Sequence, residues 1–184
     1  NESQQFDWKE ISTLNSLDFP DANQGIIRAL QLPRFIAVTP NLSHDFYGFL
    51  QRFENVVARN DISIIQLRSH ELNDSKYIKL AKKCLKLCDQ SQTKLILNRK
   101  AVILDKLNAA GLHLTSERLL ATSKRSLGKD YLVGASCHNF DEVQHASKIG
   151  LDYIFIGPVL EKNLAANVPP LTWSNFGALT QKSL

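Results

Sequence analysis

The stretch YLVGASCHNFDEVQHA, residues 131–146, joins an apolar run to a helix-like pattern through small residues, a thiol and an imidazole. Asn139 stands where a helix N-cap is needed, because its side-chain oxygen can accept from the first free backbone N–H groups. A strand that feeds directly into a helix is the repeating unit of α/β proteins. Such folds carry their chemistry at the carboxyl ends of the strands, which singles out His138.

The same unit recurs on both sides of this stretch. RFIAVTP (34–40) precedes SHDFYGFLQRFENVVARN (43–60), whose Phe46, Phe49, Leu50, Phe53, Val56 and Val57 fall at helical spacing. ISIIQLRS (62–69) precedes a helix over 74–90 with an expected buried stripe of Ile78, Ala81, Leu85 and Cys88. KLILNRK, GLHLTS and YIFIGPVL each lead into a further helical segment, which gives six strand–helix units after residue 33. Short strands that are apolar on both faces and alternate with helices predict a parallel sheet covered by helices.

Two architectures satisfy that pattern, an open doubly wound sheet and a TIM-type (β/α) barrel. Polar residues fall at i and i+2 at several strand ends: Gln66 and Arg68, Asn98 and Lys100, His113 and Thr115, Ser136 and His138. Alternation puts each pair on one face, and several strands aiming polar tips the same way describe the mouth of a barrel. TPNLSH after the first strand lacks the glycine-rich turn of a dinucleotide-binding sheet. The α/β class with a TIM-type barrel is therefore expected over 34–184, cut short after about six units, with a short N-terminal extension over 1–33.

Composition restricts the partners. With 43% hydrophobic and 22% charged residues in 184, the chain has material for one substantial core and not for two domains of full size. A net charge of +4, spread without basic runs, argues against nucleic acid and is compatible with a small anionic ligand. No apolar segment approaches the roughly 20 residues of a membrane span, and no signal pattern opens the chain, so a cytoplasmic protein is expected. Three cysteines argue against a disulfide framework, and Cys84 and Cys88, four apart, read as buried free thiols. The chain contains no Met and starts at Asn, which suggests that part of the natural polypeptide lies outside it.

The segments QLRS (66–69), LNRK (97–100), GLHLTS (111–116), GASCH (134–138) and DYIFIGPV (152–159), in that order, resemble the thiamine-phosphate synthase and TenI-like superfamily. The resemblance implies an eight-stranded barrel acting in thiamine biosynthesis. Synthases of this family join a pyrimidine diphosphate to a thiazole phosphate with magnesium, and TenI-like members isomerise a thiazole phosphate carboxylate without metal. Upstream, WKEISTLNSLDFPDANQGIIRALQLP (8–33) resembles the end of a Nudix hydrolase domain, as in Nudix–TenI-like fusions. Residues 1–33 would then be the tail or linker of an upstream Nudix domain in the natural polypeptide.

The family pattern can be compared residue by residue. Gln66 and Arg68 match its strand-two motif, but its Lys position holds His70. Its strand-three Asp, a magnesium ligand, is Arg99 here, and its strand-four Asp is Arg118. A hard divalent ion would meet cations where it needs carboxylates, so no metal and no cofactor are expected. The family's Ser-x-His motif is present as Ser136 and His138, which implies proton shuttling by His138. An imidazole suits that role because it titrates near neutrality. An idle pocket histidine is the competing reading, and Lys100 and Arg99 either neutralise a phosphate or are solvated strand-end charges. Gln66, Arg68, Asn98, Lys100, His113, Ser136 and Gly157 are the expected ligand-contacting residues. His113, on an apolar strand, also reads as a structural histidine.

Three functional readings stay open. The domain is a metal-independent tautomerase-like isomerase, a non-catalytic companion barrel that senses a thiazole or thiamine-type phosphate for a Nudix nucleotide-diphosphate hydrolase, or a degenerate barrel kept for structure or dimerisation; the missing metal ligands, strand-two Lys and phosphate turn favour the second and third. The loop after the sixth strand, 157–173, lacks the pattern that family members close over substrate, and strands seven and eight are absent. Either the natural chain continues beyond residue 184, or the exposed edges are covered by a partner, of which a homodimer is one form. A zinc site built from His70, His113 and His138 is a further alternative.

Overall fold

A computed structural model describes residues 6–42, 44–160 and 170–182. The chain divides into two compact units, Asn1–Arg34 and Phe35–Leu184. The first holds a 3-10 turn at Ile11–Ser16, another at Asp21–Asn23, and helix α1 at Gln24–Gln31. α1 stops at Leu32, whose backbone is extended (ψ 136°), because the ring of Pro33 excludes a helical residue before it.

Among the described residues the second unit alternates strands and helices. Its strands are β1 (Ala37–Val38), β2 (Ile64–Leu67), β3 (Lys94–Leu97), β4 (Gly111–Leu114), β5 (Leu132–Cys137) and β6 (Tyr153–Ile156). Between and after them run α2 (Phe46–Ala58), α3 (Asp74–Cys88), α4 (Ala101–Leu104), α5 (Ser116–Leu120), α6 (Phe140–Lys148) and α7 (Trp173–Lys182). All five strand pairings are parallel and follow chain order, β1-β2-β3-β4-β5-β6. The sheet is curled with helices outside it, a half-barrel of the TIM type, as the strand-end pattern predicted. β1 and β6 are its outer strands, and all four residues of β6 are only half-buried.

Short polar side chains start four of the helices. Asp45, Asn73, Thr115 and Asn139 each accept from the backbone N–H three residues on, at 2.8, 2.9, 3.3 and 3.0 Å. Each cap satisfies a donor that the helix cannot, worth about 1 kcal/mol. α6 ends where Gly150 takes a φ of +69°, a left-handed conformation that L side chains resist.

The core lies between sheet and helices. Ile65, Leu67, Leu95, Leu97 and Leu112 pack against Phe49, Phe53 and Val57 of α2 and Tyr77, Leu80, Ala81 and Cys84 of α3. Leu114, Val133, Ala135 and Cys137 pack against Leu119, Val143, Ala146, Ile149 and Leu179. Burial of one such Leu or Ile contributes about 1.5–3 kcal/mol. Alternation sends the intervening residues, among them Gln66, Ile96, His113, Ser136 and Phe155, to the concave face.

The α3 stripe differs from expectation. Tyr77, Leu80, Ala81, Cys84 and Cys88 are its buried residues, whereas Ile78 and Leu85 only border the core. The helix is turned so that the Tyr77 hydroxyl donates to the Leu67 carbonyl at 2.8 Å, a buried bond that apolar periodicity does not reveal. All three cysteines are buried and free, and burial pushes the Cys88 and Cys137 thiols up to about 11 and about 12. Among the described residues no helix is long and apolar enough to cross a membrane.

Candidate functional site

The carboxyl ends of β2, β3 and β4 carry an unusual density of cations. The turn after β2 is fixed from the β1 side. The Thr39 hydroxyl accepts from the Arg68 N–H at 2.9 Å, Asn41 Oδ1 accepts from the His70 N–H, and Ser69 Oγ accepts from the Leu42 N–H. Arg68 is exposed, and its Nε donates to His70 Nε2 at 3.2 Å. His70 Nε2 is thus an acceptor and carries no proton. Burial, then Arg68, Arg99 and Arg118, hold this imidazole below its usual titration range. His70 therefore supplies no positive charge where the family pattern has a Lys.

Arg99 is a buried cation, 7% exposed. Its Nη2 donates to the Ser69 and Leu72 carbonyls at 2.6 and 2.7 Å, and its guanidinium lies 4.3 Å from the centre of the Tyr77 ring. Among the described residues no carboxylate pairs with it, and the cation–π contact and the two carbonyls stand in for a counter-ion. Beside it, Arg118 Nη1 donates to Asn98 Oδ1 at 3.3 Å and links β3 to the start of α5. Burial lowers the Arg118 pKa, and repulsion from Arg99 lowers it further. Buried Gln66 leaves Oε1 without a hydrogen-bond partner among the described residues. Lys100 is exposed at the N-cap of α4.

A second group occupies the concave face between β4 and β6. His113, 1% exposed, has one ring nitrogen 2.9 Å from Ser136 Oγ and the other 3.2 Å from the Tyr153 hydroxyl. Its ring lies 4.8 Å from Phe155 and 5.7 Å from Tyr153, centre to centre. Gly134 makes this possible, since a Cβ there would fall 2.2 Å from the Tyr153 ring. The small residues of the opening stretch therefore make room for an aromatic side chain from the neighbouring strand.

His113 makes stability depend on pH. Burial, with a smaller contribution from His70, pushes its pKa down to about 4. The unfolded imidazole titrates near 6.5, so the unfolded chain binds the extra proton between those values. The His113 contribution is complete above about pH 6.5 and is lost as pH falls toward 4, up to about 3 kcal/mol. Urea midpoints at pH 7.5 and 4.5 should differ less in His113→Gln than in the natural chain. Equal differences would contradict this assignment.

The third group is His138. Its Nδ1 contacts the Gly157 carbonyl oxygen, which can only accept, so the proton resides on Nδ1. Nε2 is left as the nitrogen that can take up a proton. The His138 backbone N–H donates to Glu142 Oε2 at 2.7 Å, and Asn139 Nδ2 donates to Glu142 Oε1 at 2.9 Å. Together with the Asn139 cap, this reciprocal box fixes the position of residue 138 at the end of β5.

A sequence profile of the thiamine monophosphate synthase (TMP-TENI) family matches residues 35–183. The chain belongs to this family. Among relatives of the thiamine monophosphate synthase family, thiamine-phosphate synthase 2 of Streptococcus pneumoniae is 27% identical, over 80% of this chain and 70% of that one. The thiamine-phosphate synthase of Prochlorococcus marinus subsp. pastoris is 34% identical over 66% of this chain, which spans only 35% of that protein. In the thiamine phosphate pyrophosphorylase structure from Pyrococcus furiosus, 15% identical, the fold matches with a TM-score of 0.62 over 79% of this chain and 68% of that one.

Within this thiamine monophosphate synthase domain, the residues expected from sequence lie at or near the carboxyl ends of β2 to β6. Asn98 is joined to Arg118, Ser136 to His113, and His138 to Gly157, while Gln66 is the penultimate residue of β2 and Arg68 directly follows the strand. His113 lines the floor with both nitrogens engaged rather than presenting a free one. No group of three His, Cys, Asp or Glu side chains with metal-site geometry exists among the described residues, which removes the three-imidazole zinc alternative. Their partners explain it: His70 binds Arg68, His113 binds two hydroxyls, and His138 binds a carbonyl. Most of the loop after β6, 161–169, lies outside the described residues. Tyr153, Phe155 and Glu142 were not among the expected site residues. Alternation from Gly157 back through 155 and 153 was the available signal for the two aromatics.

Proposed function

We propose that this thiamine-phosphate synthase/TenI-like domain binds a thiazole or thiamine-type phosphate at the open end of the half-barrel and isomerises it without metal. The observation that carries the reading is the His138 imidazole, with Nδ1 engaged by the Gly157 carbonyl and Nε2 left to work. In the reaction, Nε2 removes a proton from one position of the heterocycle and returns it to another. Nothing is gained or lost, so no cofactor is needed. The aromatic rings of Tyr153 and Phe155 suit the flat face of a heterocycle, and Arg68 and Arg118 suit its phosphate. The test is incubation of the chain with the thiazole phosphate carboxylate in excess EDTA, with tautomer conversion followed by absorbance or NMR. Conversion well above the uncatalysed rate is expected, and its absence at high protein concentration would overturn the reading.

A second reading concerns the N-terminal unit. Phe6 and Trp8 are 94% and 98% exposed, apolar area of the kind that another domain covers. Together with the resemblance of residues 8–33 to a Nudix tail, this favours a polypeptide in which residues 1–33 link an upstream Nudix hydrolase to the barrel domain. An upstream reading frame without a Nudix box would remove it.

A further inference from the structure

The lysines of DSKYIKLAKKCLKLC look scattered along the chain, but the helix gathers them. At about 100° per residue, Lys76, Lys79, Lys82, Lys83 and Lys86 fall within an arc of about 120° and a length of about 15 Å. All five are exposed, because Tyr77, Leu80, Ala81, Cys84 and Cys88 take the opposite side of α3 into the core. Among the described residues none of these lysines is paired with a carboxylate. Asp74 and Asp89 stand at the two ends of the helix, outside the run of lysines. Each lysine has another three or four residues away, a spacing at which like charges repel and weaken a helix. Within the fold these charges oppose one another, whereas a negative partner relieves them.

Beside this face runs a groove between α2 and α3. Its walls carry Lys83, Lys86 and Leu87 from α3 and Tyr47, Leu50 and Glu54 from α2. Tyr47 is 86% exposed, an aromatic ring left at the surface, and Leu50 and Leu87 are half-buried where they border the core. Apolar side chains flanked by lysines describe a partner that is apolar and acidic at once. We propose that this groove docks an acidic amphipathic segment of another protein. The segment sets an apolar side chain against Tyr47, Leu50 and Leu87 and its carboxylates on Lys83 and Lys86, with Lys79 about one turn further along the face. A nucleic acid fits less well, since α3 carries no Arg to grip phosphate with a planar fork and Glu54 places a negative charge in the groove. A membrane also fits less well, since the apolar face of α3 is buried in the core and has nothing to insert. The surface lies on the outer, helical side of the sheet, apart from the strand-end residues of the proposed reaction.

The experiment is fluorescence anisotropy of a dye-labelled synthetic peptide that repeats the heptad Leu-Glu-Glu-Leu-Glu-Ala-Ala, titrated with the full chain at low ionic strength. Saturable binding at micromolar protein is expected, weakening as salt screens the charges. Lys83→Glu and Lys86→Glu should each raise Kd by about 10-fold or more, because like charges facing each other across an interface are costlier than a lost pair. Tyr47→Ala should raise it by about 10-fold through loss of the apolar contact. Lys148→Glu, in the last turn of α6, changes the net charge equally and should leave binding unchanged. All four side chains are exposed, so the variants keep the fold. Absence of saturable binding, or equal weakening by Lys148→Glu and Lys83→Glu, would overturn the inference. Equally tight binding of a peptide with Ser in place of Leu, of a single-stranded oligonucleotide or of phosphatidylserine vesicles would overturn it too, since the face would then accept any polyanion.

Discussion

His138→Gln is expected to lower the rate of tautomer conversion by about 10²- to 10⁴-fold, the usual worth of a positioned acid–base group, with KM unchanged. The separation of kcat from KM follows from geometry. The backbone N–H of residue 138 anchors the strand end through Glu142, and any side chain at 138 keeps that bond. Gln also preserves much of the volume and can donate to the Gly157 carbonyl. What it lacks is a nitrogen able to take up a proton opposite that donor. Glu142→Gln affects the same box differently. It weakens the hold on residue 138, so a smaller loss of kcat is expected. Equal turnover by His138→Gln and the natural chain would make the imidazole an idle pocket residue.

The largest effect on stability is expected at Arg125. Its Nη2 lies 2.8 Å from Asp152 Oδ2, with only 16% and 4% of the two side chains exposed. The same guanidinium donates to the carbonyls of Leu127, Gly150 and Tyr131 at 3.0, 2.7 and 2.7 Å. Asp152 also accepts from the Val133 N–H at 2.7 Å. One side chain thereby ties the loop before β5 to the turn before β6. Arg125→Ala removes this guanidinium from a buried carboxylate and from three carbonyls, and is expected to cost about 3–5 kcal/mol. For a chain of this length that lowers the melting midpoint by roughly 10 °C. Arg125→Lys keeps the charge but not the planar fork that reaches three carbonyls, so an intermediate loss is expected. Urea denaturation measures both. A loss below about 1 kcal/mol in Arg125→Ala would mean that the pair is no stronger than a surface bridge.

Where sequence and structure agree, the agreement has a local cause. Asn139 caps the helix it precedes, and alternation in GLHLTS and GASCH places His113 and Ser136 on one face, where they bond. Parallel pairing then follows, because a strand, a helix and the next strand leave little other choice. What was illegible depends on contacts between distant segments. Nothing in KLILNRK announces that Arg99 turns back onto Ser69, Leu72 and Tyr77, and it read there as a phosphate ligand or a solvated charge. Arg125 sits in the unremarkable ATSKRS, yet its guanidinium makes four hydrogen bonds to Leu127, Gly150, Tyr131 and Asp152. Tyr77 shifted the buried stripe of α3 for the same reason, a polar bond across 10 residues that hydrophobic period does not register.

The central claim is that the carboxyl ends of these strands form one phosphate-binding mouth. Its most direct test is a titration of isotope-labelled protein with the thiazole phosphate carboxylate, followed by two-dimensional NMR of backbone and side-chain N–H groups. The account predicts perturbations concentrated at Arg68, His70, Asn98, Arg118 and His138. Perturbations confined to the opposite ends of the strands, around Asn60–Ser63 and Gln90–Thr93, or none at saturating ligand, would contradict it.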